Sequence, residues 1–191
     1  MAKLIPWYLV ICFISACQTI PTHTLSNSCN QKFADNWQVA GRIKIISDKK
    51  TAVRFFWQQQ GQEFDIVLLG VFGEQLAQVK GTVEHAQVAL GTQAPIVTDN
   101  IANTLYEHTG WHFPVAQLKF WLTVRAASSD FIAEYSSNGC FSQLTEEGYT
   151  IFYSSVYAQD TVVLASKIIA VKDDIELHFS LSNWQLEQSA P

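Results

Sequence analysis

The sequence predicts a mainly β domain with a helical insert (α+β), in the form of an incomplete antiparallel β-barrel with a helical lid over an apolar cavity. Three observations predict this fold: apolar and polar residues alternate in several runs, glycines separate those runs, and a middle segment changes to a helical period. Short connections favour an antiparallel meander, which curls because strand twist accumulates. The insert must bury its apolar face, and the concave side of the curled sheet is the natural place for it.

The first half of the domain contains the clearest strand patterns. Residues 37–45 alternate between apolar and polar side chains, which is typical of a half-buried strand. Residues 52–58 alternate less cleanly, residues 64–68 predict a third strand, and residues 75–90 predict one or two more.

The middle of the chain predicts two short helices. Thr98-Asp99 could cap a helix with apolar residues at positions 101, 102, 105 and 106, and Gly110 would end it. Pro114 suits the first position of the next helix. Residues 115–122 then place apolar side chains at spacings of three and four, which gives one apolar face.

Strand patterns return in the last third of the sequence. Residues 149–153 alternate, residues 164–171 are mostly apolar, and residues 175–181 alternate cleanly, which predicts an exposed His178 on the polar face. Asp173-Asp174 and Glu146-Glu147-Gly148 are typical of turns between strands.

The composition is apolar and aromatic-rich, and the length fits one domain or at most two small ones. Of 191 residues, 48% are hydrophobic and 13% are aromatic, and the formal net charge is −5. The sequence shows no basic stripe, which argues against a nucleic-acid partner.

The N-terminus predicts a bacterial lipoprotein signal peptide over residues 1–16. Lys3 precedes an apolar run that is too short to span a bilayer, which needs about 20 residues. The run ends in Ile14-Ser15-Ala16-Cys17, which resembles the bacterial lipobox and implies diacylglyceryl attachment and acylation at Cys17. Gln18 lacks the acidic side chain that retains lipoproteins in the inner membrane, so we expect an outer-membrane lipid anchor facing the periplasm.

Residues 17–32 predict a lipidated tether, and residues 33–191 predict the folded domain. The tether is polar and has no apolar period. Two further cysteines, Cys29 and Cys140, would lie in an oxidising compartment. They either form a disulfide or stay as free thiols, and the sequence does not decide between these states.

No arrangement of residues predicts catalysis or metal binding. His108 and His112 are four apart, but Gly110 breaks the helix that would align them. No nucleophile, base and oxyanion-stabilising set is found. The sequence therefore predicts a non-enzyme without a cofactor or a metal.

An ordered set of motifs resembles the LolB family of outer-membrane lipoprotein receptors over nearly all of the mature chain. The motifs are Trp37-x-x-x-Gly41-Arg42, Phe56-Trp57-Gln58, Phe64-Asp65-Ile66-Val67-Leu68-Leu69, Gly70-Val71-Phe72-Gly73, Leu105 with Gly110, Pro114-Val115-x-x-Leu118-x-x-Trp121-Leu122, Phe141-x-Gln143, Gly148-Tyr149-x-Ile151-x-Tyr153, Lys167-Ile168 and Asn183-Trp184. The chain departs from the family pattern at Val71-Phe72, where Pro-Leu is usual, at Tyr149, where Trp is usual, and at Ala165, where Pro is frequent.

The resemblance implies a monomeric receptor that accepts lipoproteins from a periplasmic LolA-like carrier and inserts them into the outer membrane. Its partners would be the carrier, the acyl chains of cargo lipoproteins and outer-membrane lipid. Apolar residues at strand and helix positions that face inward would line the acyl-chain cavity. They are Val39, Ile43, Phe55, Trp57, Phe64, Ile66, Leu68, Leu118, Trp121, Ile151 and Phe179.

Val71 and Phe72 occupy a hairpin connection, where polar residues are usual. Their side chains either project as an exposed tip or fold back onto the core. The resemblance favours a membrane-inserting tip, because Phe72 aligns with a leucine that the family places on a protruding loop.

Two other functions remain open from the sequence. One is a lipid-anchored envelope scaffold whose interior is ordinary packed core, and the other is a lipid-binding module without transfer activity. A connected apolar cavity that opens to solvent would favour the receptor.

Overall fold

The computed structural model describes residues 34–159 and 162–187, which form one eleven-stranded antiparallel sheet and two helices. The strands are β1 (Asn36–Ile46), β2 (Lys50–Gln60), β3 (Glu63–Leu69), β4 (Gln75–Gly81), β5 (Ala86–Leu90), β6 (Ile96–Thr98), β7 (Ile132–Tyr135), β8 (Phe141–Glu146), β9 (Tyr149–Gln159), β10 (Val162–Lys172) and β11 (Ile175–Leu186). The helices are α1 (Ile101–Thr109) and α2 (Val115–Leu122).

The sheet is open, with strand order β6-β5-β4-β3-β2-β1-β11-β10-β9-β8-β7. The first strand therefore lies at the centre, and β6 and β7 form the two edges. Both helices lie in the segment that links these edges, α1 against β5 and α2 against β10. This arrangement confirms the predicted open antiparallel sheet with a helical insert. The helical lid and the enclosed cavity stay predictions.

The predicted alternation is present in the central strands. Ile43 of β1 faces Val53 of β2 and Phe179 of β11, and all three side chains are buried. Their neighbours Arg42 and Arg54 face each other on the opposite, exposed side of the sheet. One face of the sheet thus carries the core, and the other carries polar side chains.

Antiparallel pairing divides the turns between two ends of the sheet. The segments 47–49, 70–74, 147–148 and 173–174 lie at one end, which we call the loop end. The β2–β3 and β7–β8 turns lie at the other end, together with the first and last described residues. We call this second end the tryptophan end, because Trp37, Trp57 and Trp184 lie there.

The tryptophan end is closed by packed indole rings. The Trp37 ring centroid lies 5.5 Å from that of Trp57 and 5.2 Å from that of Trp184. Trp57 Nε1 donates to Gln59 Oε1 at 3.0 Å, and Trp184 Nε1 donates to Ala165 O at 3.0 Å. Burying these N–H groups costs little, because each has an acceptor.

The two helices form where predicted, with different caps. The N-cap of α1 is Asn100, whose side chain accepts from the Asn103 amide at 3.0 Å, so the predicted cap at Thr98-Asp99 is wrong. Thr98 Oγ1 instead accepts from the Asn100 amide at 2.9 Å, which orders the turn before the helix. Gly110 ends α1 with φ +71°, as predicted, because glycine adopts this left-handed conformation without strain.

Pro114 is the N-cap of α2 rather than its first residue. The predicted apolar face of α2 is confirmed, since its buried residues are Val115, Leu118, Trp121 and Leu122.

Three strands and two polar residues differ from the sequence expectations. Strands β6, β7 and β8 were not predicted as separate elements. The predicted turn at 146–148 is shorter, because Glu146 ends β8 with its side chain buried, while Glu147 and Gly148 make the turn. His178 is half-buried rather than exposed, and its Nε2 lies 2.6 Å from Glu176 Oε2.

Candidate functional site

Val71 and Phe72 form an exposed apolar tip at the loop end of the sheet. The side chains are 70% and 93% exposed, respectively. Both therefore project into solvent, which is the first of the two arrangements that the sequence left open. Their insertion into a membrane stays a prediction.

Hydrogen bonds hold the loop that carries this tip. The Gly70 amide donates to Glu74 O at 2.9 Å, and the Gly73 amide donates to Gly70 O at 3.1 Å. The Glu74 carboxylate also accepts from the Phe72 amide at 3.1 Å. Gly73 has φ +89°, a conformation that favours glycine. The exposed tip is therefore the product of a defined turn.

The residues predicted to line a cavity all come together in one buried apolar cluster. All eleven belong to this core, which includes side chains from both helices and from the core face of the sheet. They are Val39, Ile43, Phe55, Trp57, Phe64, Ile66, Leu68, Leu118, Trp121, Ile151 and Phe179. Their burial agrees with an inward orientation, whereas their role in holding acyl chains stays a prediction.

An apolar pocket of about 460 Å³ opens at the C-terminal end of α2, beside the β7–β8 hairpin. The sequence analysis missed this pocket. Its lining residues are Phe120, Val124, Arg125, Ala126, Ser128, Phe131, Tyr135, Gly139 and Phe141. The Phe141 ring lies 5.9 Å from that of Phe131 and 5.4 Å from that of Tyr135, so the wall is largely aromatic. The only sequence signal for it is the number of aromatic residues between 120 and 141.

Glu146 fastens α2 and the segment after it to the sheet. Its buried carboxylate accepts from Trp121 Nε1 of α2, from the Ala127 amide at 2.9 Å and from the Ser128 amide at 2.9 Å. Three donors around one carboxylate offset much of the cost of burying its charge. The position of α2 over the sheet therefore depends on a polar contact as well as on apolar packing.

Two further side chains of α2 contact turns in different halves of the sheet. Lys119 Nζ donates to Gln62 Oε1 in the β2–β3 turn at 3.3 Å, while Gln117 Nε2 donates to Glu147 in the β8–β9 turn. Burial lowers the pKa of Lys119, and nearby Arg125 lowers it further. The helix thus bridges two strand pairs that are not neighbours in the sheet.

Tyr153 contributes a buried hydroxyl that interacts electrostatically with Glu146. The Tyr153 hydroxyl has no hydrogen-bond partner among the described residues. Burial, and secondarily Glu146, raises the pKa of Tyr153 well above its usual value. The hydroxyl is therefore neutral at physiological pH.

The described residues contain no group of three His, Cys, Asp or Glu side chains that could hold a metal ion. Within the same residues, no helix is long and apolar enough to cross a membrane. His108 and His112 are both exposed, and the His112 ring stacks on Tyr106 with a centroid distance of 4.1 Å.

Several sequence predictions fall outside the described residues. They are the signal peptide, the lipidated Cys17, the tether and Cys29. Cys140 is buried and disulfide-bonded. The pairing of Cys29 with Cys140 stays a prediction.

Comparison with known proteins gives a consistent family match. The sequence profile described as "Outer membrane lipoprotein LolB" matches residues 35–184. The outer-membrane lipoprotein LolB of Francisella tularensis subsp. tularensis is 26% identical, over 93% of this chain and 91% of its own length. The protein of the same name from Cellvibrio japonicus is 27% identical, over 79% of this chain and 78% of its own length.

Solved structures share the fold at low sequence identity. A LolA superfamily protein from Nitrosomonas europaea is similar, with a TM-score of 0.51 and 10% identity over 84% of this chain and 90% of that one. A DUF1329 family protein from Desulfovibrio piger gives a TM-score of 0.55 and 8% identity, over 84% of this chain and 89% of that one. These likenesses support the open-sheet architecture.

Proposed function

Because this chain belongs to the LolB family of outer-membrane lipoproteins, we propose that it accepts lipoproteins from a LolA-like periplasmic carrier and inserts them into the outer membrane. The observation that carries this proposal is the pairing of an ordered, exposed apolar tip with a domain whose sheet and helices share one buried apolar cluster. A packed scaffold requires only the apolar core, whereas a receptor that delivers acyl chains also requires an apolar group at the membrane surface.

The chemistry of the cargo explains why such a receptor must be apolar. Exposing one sixteen-carbon acyl chain to water costs on the order of 12 kcal/mol. A typical surface ion pair contributes at most about 1 kcal/mol, so polar contacts cannot offset that cost. The acyl chains therefore need a continuous apolar path from the carrier to the membrane.

We infer that the path runs through the aromatic pocket at the end of α2 and into the core beneath that helix. The wall of this pocket is mainly aromatic and apolar. Its wall residue Phe120 belongs to α2, whose other face is buried in the core. A displacement of α2 from its contacts with Glu146 would connect the pocket with the buried cluster and make room for acyl chains.

The membrane anchor is proposed to be the lipid on Cys17, followed by the tether of residues 17–32. The first described residue lies at the tryptophan end, whereas the Phe72 tip lies at the loop end, about 36 Å away along an eleven-residue strand. Sixteen residues reach at most about 55 Å when extended. The tether is thus long enough to let the tip face the membrane that holds the anchor.

Transfer of a lipoprotein tests the function directly. The mature lipidated chain, in liposomes, is mixed with carrier loaded with a radiolabelled lipoprotein, and the label is followed from carrier to liposome. We expect transfer that depends on this protein. In the control, Cys17→Ala should still take cargo from the carrier but should not be anchored in the liposomes by lipid. Apolar-dye binding without cargo uptake would instead indicate a lipid-binding module without transfer activity.

A further inference from the structure

The β1–β2 hairpin concentrates positive charge in an otherwise acidic protein. Five of the twelve Lys and Arg residues of the chain lie in the hairpin, but only one of its seventeen acidic residues does. The five cations are Arg42, Lys44, Lys49, Lys50 and Arg54. The net charge of −5 conceals this local excess, because the acids lie elsewhere in the chain.

Strand register places these cations on one exposed surface. Arg42 and Arg54 are direct cross-strand partners on the outer face of the sheet. Like charges in directly opposed positions destabilise a sheet, so this pair is not explained by folding. The ion pairs Lys80–Asp65 and His178–Glu176 involve none of the five cations.

The cationic surface is continuous with the apolar tip. Arg42, Ala52, Arg54 and Val71 line one depression of about 240 Å³. The Arg54 guanidinium lies directly beside the loop, since a Cβ added to Gly73 would be 3.3 Å from its Nη2. Two guanidinium groups therefore stand at the base of the loop that projects Phe72.

The nearby acids offset only part of this positive charge, and two of them have other contacts. Glu74 accepts a hydrogen bond from the Phe72 amide at 3.1 Å, and Glu176 contacts His178 at 2.6 Å. Asp48 lies in the β1–β2 turn, between cations at positions 44, 49 and 50. The hairpin thus keeps a net positive charge.

We propose that Arg42 and Arg54, supported by Lys44, Lys49 and Lys50, bind the phosphate groups of anionic phospholipids where the Phe72 tip meets the membrane. Guanidinium groups donate two parallel hydrogen bonds to a phosphate, and the depression accommodates one such group. The apolar tip would enter the acyl region while the cations stay at the headgroup level, which is the arrangement of interfacial anchors. This inference rests on the proposed membrane-facing role of the loop, and it adds the class of lipid that the loop end selects.

Vesicle binding without carrier or cargo tests the inference separately from lipoprotein transfer. The mature chain with Cys17→Ala is mixed with vesicles of phosphatidylcholine alone or of phosphatidylcholine with phosphatidylglycerol, and bound protein is measured by flotation. We expect tighter binding to the vesicles with phosphatidylglycerol, and loss of this preference in about 1 M salt, where the Debye length falls to ~3 Å. Each arginine should contribute about fivefold, so Arg42→Gln/Arg54→Gln should weaken this binding about 25-fold.

Two control variants test whether the loss of vesicle binding is caused by the missing charge at Arg42 and Arg54. Arg42→Lys/Arg54→Lys preserves the charge and should retain most of the preference, while Lys80→Gln removes one exposed cation elsewhere and should change binding little. Unchanged binding of Arg42→Gln/Arg54→Gln to the phosphatidylglycerol vesicles would overturn the inference. Loss of cargo uptake from the carrier with unchanged vesicle binding would also overturn it, because the cations would then serve the carrier. Neither result would by itself contradict the transfer proposal.

Discussion

The two ends of the sheet use aromatic side chains in opposite ways. At the tryptophan end, Trp37, Trp57 and Trp184 are buried against one another, and acceptors satisfy two of their indole N–H groups. At the loop end, Phe72 is 93% exposed on a hydrogen-bonded turn. The comparison shows that the backbone around an aromatic residue, rather than its hydrophobicity, decides whether it stabilises the fold or remains available to a partner.

Truncation at the tryptophan end should produce the largest loss of stability. Trp57→Ala removes a fully buried ring and leaves the Gln59 side-chain oxygen without its donor. We expect a decrease of about 3–5 kcal/mol in the free energy of unfolding, measured by equilibrium denaturation in urea. Phe56→Ala is the matched control, because Phe56 is the neighbouring aromatic residue on the exposed face; it should cost about 1 kcal/mol or less. Equal losses for the two variants would contradict the assigned division of roles.

Glu146 lies at the loop end, and unlike the exposed tip it should contribute to the stability of the fold. Glu146→Gln replaces one acceptor oxygen by an NH₂ group, so the Ala127 amide and either Trp121 Nε1 or the Ser128 amide then face a donor. We expect the free energy of unfolding to decrease by about 1–3 kcal/mol. Amide hydrogen exchange at Ala127 and Ser128 should also be faster in this variant than in the unchanged protein. The exposed Glu134→Gln gives the baseline for removing a carboxylate. Stability equal to that of Glu134→Gln would mean that Glu146 does not fasten α2.

The sequence predicted the central strands well because each has one buried and one exposed face. The alternation over residues 37–45 matches the burial of β1, and the same holds for β11. The apolar face of α2 was predicted for the same reason. In all three elements the periodicity of the chain and the contrast between core and solvent coincide.

Edge strands and long-range polar contacts could not be predicted in this way. Strand β7 lies at the sheet edge with most of its side chains exposed, so its sequence carries no alternation. The donors to Glu146 lie 18 to 25 residues earlier in the chain, whereas its neighbours Glu147 and Gly148 are typical of a turn. The cationic surface also depends on cross-strand register, because Arg42 and Arg54 are twelve residues apart and become neighbours only when β1 pairs with β2.

The smallest expected effect on stability is at the tip itself, where the effect on function should be large. Phe72→Glu changes a side chain that is almost fully exposed, so we expect the free energy of unfolding to change by less than about 0.5 kcal/mol. Burying a Phe side chain in lipid is worth roughly 1.5–3 kcal/mol, which is too little to anchor the protein but enough to orient the loop end toward the membrane. Cargo uptake from the carrier should therefore persist, while delivery into liposomes should fall about tenfold or more.

The control for this prediction is Phe72→Leu, which keeps an apolar tip and should restore delivery. Comparison of the two variants separates apolar insertion from any general effect of changing the loop, because only Glu adds a charge that resists transfer into lipid. If Phe72→Glu unfolded the domain, the residue would belong to the core and the contrast between the two ends would fail. If Phe72→Glu delivered cargo as well as Phe72→Leu, the tip would have no role in insertion. Uptake without delivery would instead place the final step of transfer at the loop end.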